Sequence, residues 1–130
     1  MTTTSVIGGA TMGVIERAEV PVAIKNDTVE LRTASVGELT VGFVEIQKGT
    51  DLGPALVGLP GDLCQCPHWG YMLKGRVMMR TEGGEEYYEA GQVFYWPPGH
   101  APVALEDSEY VDFSPTEEFA SVIRHLTGGT

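Results

Sequence analysis

The stretch Gly61-Asp-Leu-Cys-Gln-Cys-Pro-His-Trp-Gly-Tyr-Met-Leu-Lys-Gly75 contains both cysteines of this 130-residue chain and one of its three histidines. A second stretch, Gly91-Gln-Val-Phe-Tyr-Trp-Pro-Pro-Gly-His100, again combines glycines and aromatic residues with a histidine at its end. Cysteine thiolates and imidazoles are common ligands of transition metals in proteins. The two stretches therefore carry the strongest indications of both the fold and a site.

The first stretch resembles the first motif of the cupin superfamily, a group of small β-barrels that often carry one metal in the barrel. That motif reads G-x5-H-x-H-x(3 or 4)-E-x6-G. With Gly75 as the closing glycine, His68 takes the position of the family's glutamate. With the shorter spacing, Asp62 and Cys64 take the positions of the two histidines, and Cys66 is an additional soft group between them. The resemblance implies a metal site with substituted ligands.

The second stretch resembles the second cupin motif, G-x5-P-x-G-x2-H-x3-N. Three residues fit it: Gly91, Pro97 and Gly99. The family's histidine falls at Pro102, with His100 two positions earlier, and its asparagine falls at Glu106. The resemblance covers roughly residues 28–114 and implies an all-β fold, a cupin-type β-barrel (double-stranded β-helix, or jelly roll).

Composition and charge narrow the function classes. The length suits one domain with a real core. The formal net charge of -10 would repel phosphate backbones, so we expect no nucleic-acid partner. No apolar run approaches the roughly 20 residues that span a membrane, and residues 1–10 lack the features of a signal peptide. We expect a cytoplasmic protein with no membrane partner, and in that reducing compartment the cysteines should be thiols.

Short apolar segments separated by turn residues predict the strands of a barrel or sandwich. The Gly83-Gly84 pair suits the tight turn of a hairpin. We expect a strand region from Cys64 to Lys74, interrupted by Pro67, and Gly70 within it predicts a bulge or a close approach by another group. The predicted organisation is an N-terminal arm and edge strand at 1–27, the barrel at 28–114 and a C-terminal helix at 115–127, all in one domain.

The C-terminal helix has a clear start signal. Ser114 is predicted as its N-cap, with Pro115 at the first helical position and Glu117 closing a capping box. One apolar stripe follows at helical spacing: Phe119, Val122, Ile123 and Leu126. We expect this helix to pack on the outside of the barrel, with His125 at the surface.

The candidate metal ligands are Cys64, Cys66, His68 and His100, with Asp62 as an alternative ligand. On an extended strand, side chains two residues apart point to the same side, which would bring the first three together. This set favours one Zn²⁺, whereas a mixed set with a carboxylate could take Fe(II). The alternatives are buried cysteines without metal, and a thiol redox role, which no neighbouring cation supports.

The candidate small-molecule site is an aromatic-walled cavity. Met72 would share a strand face with the motif residues, and Phe94 and Trp96 would share a face of the second motif strand. The leading hypothesis is a metal-binding cupin with a small-molecule ligand, and the resemblance extends to oxygenases and isomerases without selecting a reaction. The alternatives are a metal-free binding module and a structural or regulatory homodimer. By analogy with similar cupins, we expect a homodimer.

Overall fold

The computed structural model describes residues 6–7 and 12–128 of the chain. Within these residues there are ten strands and one α-helix, in this order: β1 (Val6–Ile7), β2 (Val22–Lys25), β3 (Val29–Val36), β4 (Leu39–Ile46), β5 (His68–Lys74), β6 (Arg76–Thr81), β7 (Gly84–Glu89), β8 (Val93–Trp96), β9 (His100–Ala104), β10 (Ser108–Pro115) and α1 (Thr116–Leu126). Residues 1–5 and 8–11 of the predicted N-terminal arm and edge strand at 1–27 lie outside the described residues. None of the described helices is long and apolar enough to cross a membrane.

The strands form two sheets. The larger one has the order β1-β3-β4-β10-β5-β8, with β2 also paired to β3, and the smaller one has the order β7-β6-β9. The pairings are antiparallel except for β1 with β3. The main core lies between the two sheets and under the helix, with Met72, Phe94 and Trp96 among its buried residues. The predicted all-β barrel with one C-terminal helix is confirmed.

Two glycines open space beside one buried residue of the central strand. Asp112 of β10 is paired with Gly42 on one side and Gly70 on the other. A Cβ atom at Gly42 would lie 2.6 Å from the Asp112 carboxyl, and one at Gly70 would collide with the Val111 carbonyl and the Phe94 ring. The close approach predicted at Gly70 is therefore real, because the neighbouring backbone and ring occupy the position of a side chain.

The outer face of the larger sheet carries many apolar side chains, together with charged ones such as Glu45 and Glu109, which pair with Arg17. Toward β3 and β4 it is covered by the segment before β2, through a second buried cluster that contains Val20, Ala34 and Val41. Toward β5 and β8 the described residues provide no such cover, and six large side chains are exposed there: Trp69, Tyr71, Leu73, Val93, Tyr95 and Phe113. We call these six residues the exposed patch.

Two predicted local structures are wrong in detail. The first motif strand begins at His68, and Cys64 instead forms a bridge to His100 on the other sheet. Pro67 lacks the N–H that a continuous ladder would need. The helix begins at Thr116 with Pro115 as its N-cap, and no side chain caps it. Ser114 is completely buried within β10, so its hydroxyl points into the barrel and not toward the helix end.

The other local expectations agree with the structure. The β6–β7 hairpin turns after Thr81, and Gly84 has a positive φ of 135°, which glycine adopts without strain. The apolar stripe of α1 faces the main core, where Phe119 and Val122 are buried. His125 is only partly buried, and its Nε2 donates a hydrogen bond to the Val57 carbonyl at 2.9 Å. The helix is thereby joined to the loop between β4 and β5.

We expect Gly70→Ala to lower the free energy of unfolding by about 1–3 kcal/mol, because the added methyl group meets backbone and ring atoms that cannot both move away. Urea denaturation followed by tryptophan fluorescence measures this. The matched control is Gly83→Ala, where the nearest atom would be the Thr81 hydroxyl at 3.9 Å. Equal stability of the two variants would contradict the close approach at Gly70.

Candidate functional site

Three metal-binding side chains converge between the two sheets. The ligand atoms of Cys64, His68 and His100 all lie within 4.8 Å of one another, and all three residues are buried. Cys64 and His100 are brought together by their bridge, and the Cys64 N–H donates to the His100 carbonyl at 2.8 Å. His68, the first residue of β5, completes the group, with its Nε2 3.7 Å from the Cys64 Sγ. The cluster therefore depends on contact between the sheets.

Hydrogen bonds fix the orientation of both imidazoles. The Nδ1–H of His100 donates to the Pro97 carbonyl at 2.7 Å. The Nδ1 of His68 lies 2.6 Å from the Ser114 Oγ. In each ring the partner occupies Nδ1 and leaves Nε2 available, which is the arrangement typical of metal-bound histidines. A tetrahedral ion with bonds of about 2.0–2.3 Å holds its ligand atoms about 3.5 Å apart, so the Cys64 to His68 distance suits one.

Burial sets the protonation of these groups. Desolvation, together with the neighbouring His100, lowers the pKa of His68 to about 3, and desolvation also lowers the pKa of His100. Desolvation raises the pKa of Cys64 to about 11. Without a metal, all three side chains are therefore neutral at pH 7. Neutral imidazole is the form that binds a metal, whereas the thiol would have to release its proton on binding.

Asp112 is a site residue that the sequence analysis missed. Its carboxyl is buried, its Oδ1 has no hydrogen-bond partner, and its Oδ2 lies 3.6 Å from the His68 Nδ1. Desolvation raises the pKa of Asp112 to about 8, so at pH 7 this contact joins two neutral groups and is not an ion pair. The sequence did contain a signal for it. Asp112 lies two residues from both Tyr110 and Ser114, so on a strand all three side chains point to the same, inward face.

The other two proposed ligands lie outside the cluster of three. Cys66 is completely buried, and its thiol contacts the Pro67 carbonyl at 3.4 Å. Burial and the nearby Cys64 raise the pKa of Cys66 to about 12. Asp62 is exposed, and its carboxylate accepts a hydrogen bond from the Gly58 N–H at 3.0 Å within the loop. Neither side chain is part of the group that the fold brings together.

A cavity of about 150 Å³ adjoins the cluster. Cys64, His68, His100 and Asp112 line one end of it, while most of the remaining wall is apolar. Of the predicted ligand-binding residues, Trp96 lines this cavity, whereas Met72 and Phe94 are buried in the core outside its wall. The structure therefore contains an apolar cavity beside the motif residues, but of the three side chains predicted to line it only Trp96 does so.

A larger, more open cleft of about 640 Å³ lies on the other side of Trp96 and His100. The tip of the β6–β7 hairpin lines it, as do the loops on either side of Cys64 and Trp96. Cys64 and His68 do not line this cleft. We therefore associate the cluster with the smaller cavity.

Solved structures identify the fold. An RmlC-like cupin from Shewanella frigidimarina superposes with a TM-score of 0.58 and 16% identity over 81% of this chain and 92% of that one. KdgF from Halomonas sp. superposes with a TM-score of 0.57 and 22% identity over 81% of this chain and 94% of that one. The iron(II) form of HppE superposes with a TM-score of 0.57 and 14% identity over 79% of this chain and 60% of that one. No protein-family model and no curated protein sequence matches the chain. The chain has the cupin fold, with a Cys/His/His cluster in its barrel that could hold a metal.

We expect the metal-free protein to lose stability as the pH rises from about 7 to about 8. In this window the folded protein keeps the Asp112 proton up to a pKa of about 8, whereas the unfolded chain, at the usual value of 3.8, has already released it. Each pH unit then lowers the free energy of unfolding by up to about 1.4 kcal/mol. His68 and His100 act in the opposite direction, because burial keeps them neutral in the folded protein while in the unfolded chain each is about half protonated at pH 6.5. Their contribution cancels that of Asp112 near pH 6.5 and fades above about pH 7, where the Asp112 effect dominates.

Urea denaturation at several pH values between about 7 and about 8 measures this dependence. Asp112→Asn should abolish the decrease and leave the small increase due to the histidines, whereas Asp51→Asn, which changes an exposed carboxylate beside Arg80, should leave the decrease unchanged. Parallel pH profiles for the wild-type protein and Asp112→Asn would show that Asp112 does not hold a proton in the folded state.

Proposed function

We propose that this protein binds one transition metal ion through Cys64, His68 and His100, and one small molecule in the adjoining cavity. The observation that carries the proposal is the convergence of three buried ligand atoms within 4.8 Å, with both Nδ1 atoms already engaged. One sulfur and two nitrogens favour zinc over iron, and they disfavour Mg²⁺ and Ca²⁺. The proposed set omits Cys66 and Asp62.

Three protein ligands leave a fourth coordination position of a tetrahedral ion for water or a ligand. Such an ion, when bound, can polarise an oxygen atom or lower the pKa of a bound water. His68 would donate its Nδ1–H to the Ser114 hydroxyl, which holds the ring with its Nε2 toward the ion. This geometry favours a site that acts on or recognises a small molecule over a closed structural site. The oxygenase and isomerase activities implied by the cupin resemblance are both compatible with it.

Metal content tests the ligand set. We expect about one zinc or iron per chain by elemental analysis of untagged protein, and loss of most of it in Cys64→Ala and in His100→Ala. Cys66→Ala is the matched control, because it removes a second buried thiol only two residues away and should retain the metal. Each variant is compared at equal folded fraction, measured by circular dichroism.

Two outcomes would contradict the proposal. Full metal content in Cys64→Ala would exclude this ligand set. Wild-type protein that stays metal-free after anaerobic reconstitution would favour the metal-free binding module. A reducing compartment such as the cytoplasm, which we expect from the sequence, would keep Cys64 available as a thiol.

We also propose that the chain forms a homodimer through the exposed patch on β5, β8 and β10. Trp69 and Tyr95 stack across two strands at 5.1 Å and form a flat aromatic surface. The six side chains are 39–79% exposed, and together they present on the order of 500 Å² of apolar surface, the upper range for a monomer. A standard interface buries about 800 Å² per partner.

The occupant that suits this patch is a second copy of the chain. The six residues carry no charge although the chain has a net charge of -10, so two copies can meet here without burying carboxylates. The patch also reaches β8, the edge of the larger sheet, and its residues Val93–Trp96 include no charged residue or proline that would prevent pairing. A self-complementary apolar face is typical of a two-fold dimer.

Sedimentation velocity tests the dimer. We expect the wild-type protein to sediment as a dimer at micromolar concentration and Tyr95→Glu to sediment as a folded monomer, because the variant would bury two carboxylates. Val22→Glu is the control, since Val22 is similarly exposed on β2, outside the patch. A wild-type monomer, or a dimer that survives Tyr95→Glu, would exclude this interface.

A further inference from the structure

The wall of the cavity beside the Cys/His/His cluster is divided into a polar end and an apolar body. The polar end consists of Cys64, His68, His100 and Asp112. The apolar body comes from three parts of the chain. The barrel strands supply Val29, Leu31 and Val44, the loop after β4 supplies Leu52, Ala55 and Leu56, and the helix supplies Phe119, Val122 and Leu126. A ligand would therefore meet polar groups at one end only.

The basic side chains of the protein lie outside this cavity. None of its eight lysines and arginines lines either the cavity or the neighbouring cleft. Several of them are paired with carboxylates elsewhere: Arg17 with Glu45 and Glu109, Lys25 and Arg32 with Glu30, and Arg80 with Asp51. A phosphate or a carboxylate away from the metal would find no cation to replace its hydration, and its burial would be costly.

A sugar-like ligand is equally poorly matched. Each buried hydroxyl needs a hydrogen-bond partner, and outside the polar end the wall provides few, notably Asn26 and Tyr110. The aliphatic side chains of the loop and the helix leave most of a polyhydroxylated molecule unpartnered. The same wall suits a ligand with a compact hydrocarbon body, because the surrounding apolar side chains would remove the surface of that body from water on several sides.

From this division we infer that the ligand is a small, compact molecule with an apolar body and a single polar head, such as a cyclic or branched alcohol or ketone. The body would pack against α1 and the loop after β4, and the head would face the Cys/His/His cluster. The helix and the loop would thus be the parts of the chain that determine ligand specificity. This inference rests on the proposed small-molecule site, but the apolar wall acts independently of the metal.

Three six-membered-ring probes test the inference by titration calorimetry and saturation-transfer NMR. Cyclohexanol has one hydroxyl, myo-inositol has one on every ring carbon, and cyclohexanecarboxylate has one negative charge. We expect cyclohexanol to bind at least about tenfold more tightly than either of the others. In chelator-treated protein this order should hold for both comparisons. In zinc-loaded protein the carboxylate can coordinate the ion, so there the preference for cyclohexanol over myo-inositol tests the apolar wall.

Matched variants locate the binding site. Val122→Thr keeps the shape of a cavity-lining side chain but adds a hydroxyl, and should weaken cyclohexanol binding several-fold. Val41→Thr makes the same change at an equally buried position in the second cluster, outside the cavity, and should leave binding unchanged. A folded Val122→Thr with wild-type affinity would overturn the assignment of the cavity.

The outcomes separate this inference from the proposed metal site. Preference for cyclohexanol in a protein that fails to bind metal would support the ligand class and overturn the metal. A protein that binds one metal would overturn the ligand class and keep the metal in either of two cases: if it binds myo-inositol as tightly as cyclohexanol, or if its chelator-treated form binds cyclohexanecarboxylate as tightly as cyclohexanol. The absence of binding by all three probes in both forms would overturn the inferred ligand class.

Discussion

The burial of His68 between the two sheets is the constraint on which the rest of the site depends. A buried imidazole needs partners for both nitrogens, and here the Nδ1 side meets Ser114 while the Nε2 side meets Cys64. Desolvation keeps the ring neutral, which is the state that binds a metal. The polar residues of the cluster are held at their distances because moving any of them would leave a buried polar atom without a partner.

The rest of the interior is arranged around this polar group. Asp112 lies beside His68 on the central strand, in space that Gly42 and Gly70 leave open. Its unpartnered oxygen is expensive, and protonation is how the folded protein limits that cost. Next to the cluster, the helix and the loop after β4 line the cavity with apolar side chains, and the Phe119 ring lies 5.4 Å from that of His68. The site is therefore a small polar region in an otherwise mostly apolar barrel interior, where each electrostatic contact is strong.

The two faces of the larger sheet have different roles. The inner face carries His68, Asp112 and Ser114, and the outer face carries Trp69 and Tyr95 at alternating positions of the same or adjacent strands. Because side chains alternate along a strand, a short sequence can supply a polar cluster inside and an apolar surface outside. A partner on the outer face would stabilise the strands that position the cluster. The proposed dimer and the site would in this way be linked through β5 and β10.

The sequence by itself determined the fold, the turn at Gly83-Gly84, the apolar stripe of the helix, and the candidates Cys64, His68 and His100. These follow from motif spacing and periodicity, which are local properties. Only the tertiary structure decided that Cys64 pairs with β9 and not with the strand of His68. It also decided that Cys66 and Asp62 lie outside the cluster. Finally, it decided that Ser114 points inward to His68 and leaves the helix without a side-chain cap. It also revealed Asp112. The physical reason is that these choices depend on which polar groups lose their water when the sheets pack, and that is a property of residues up to 46 positions apart.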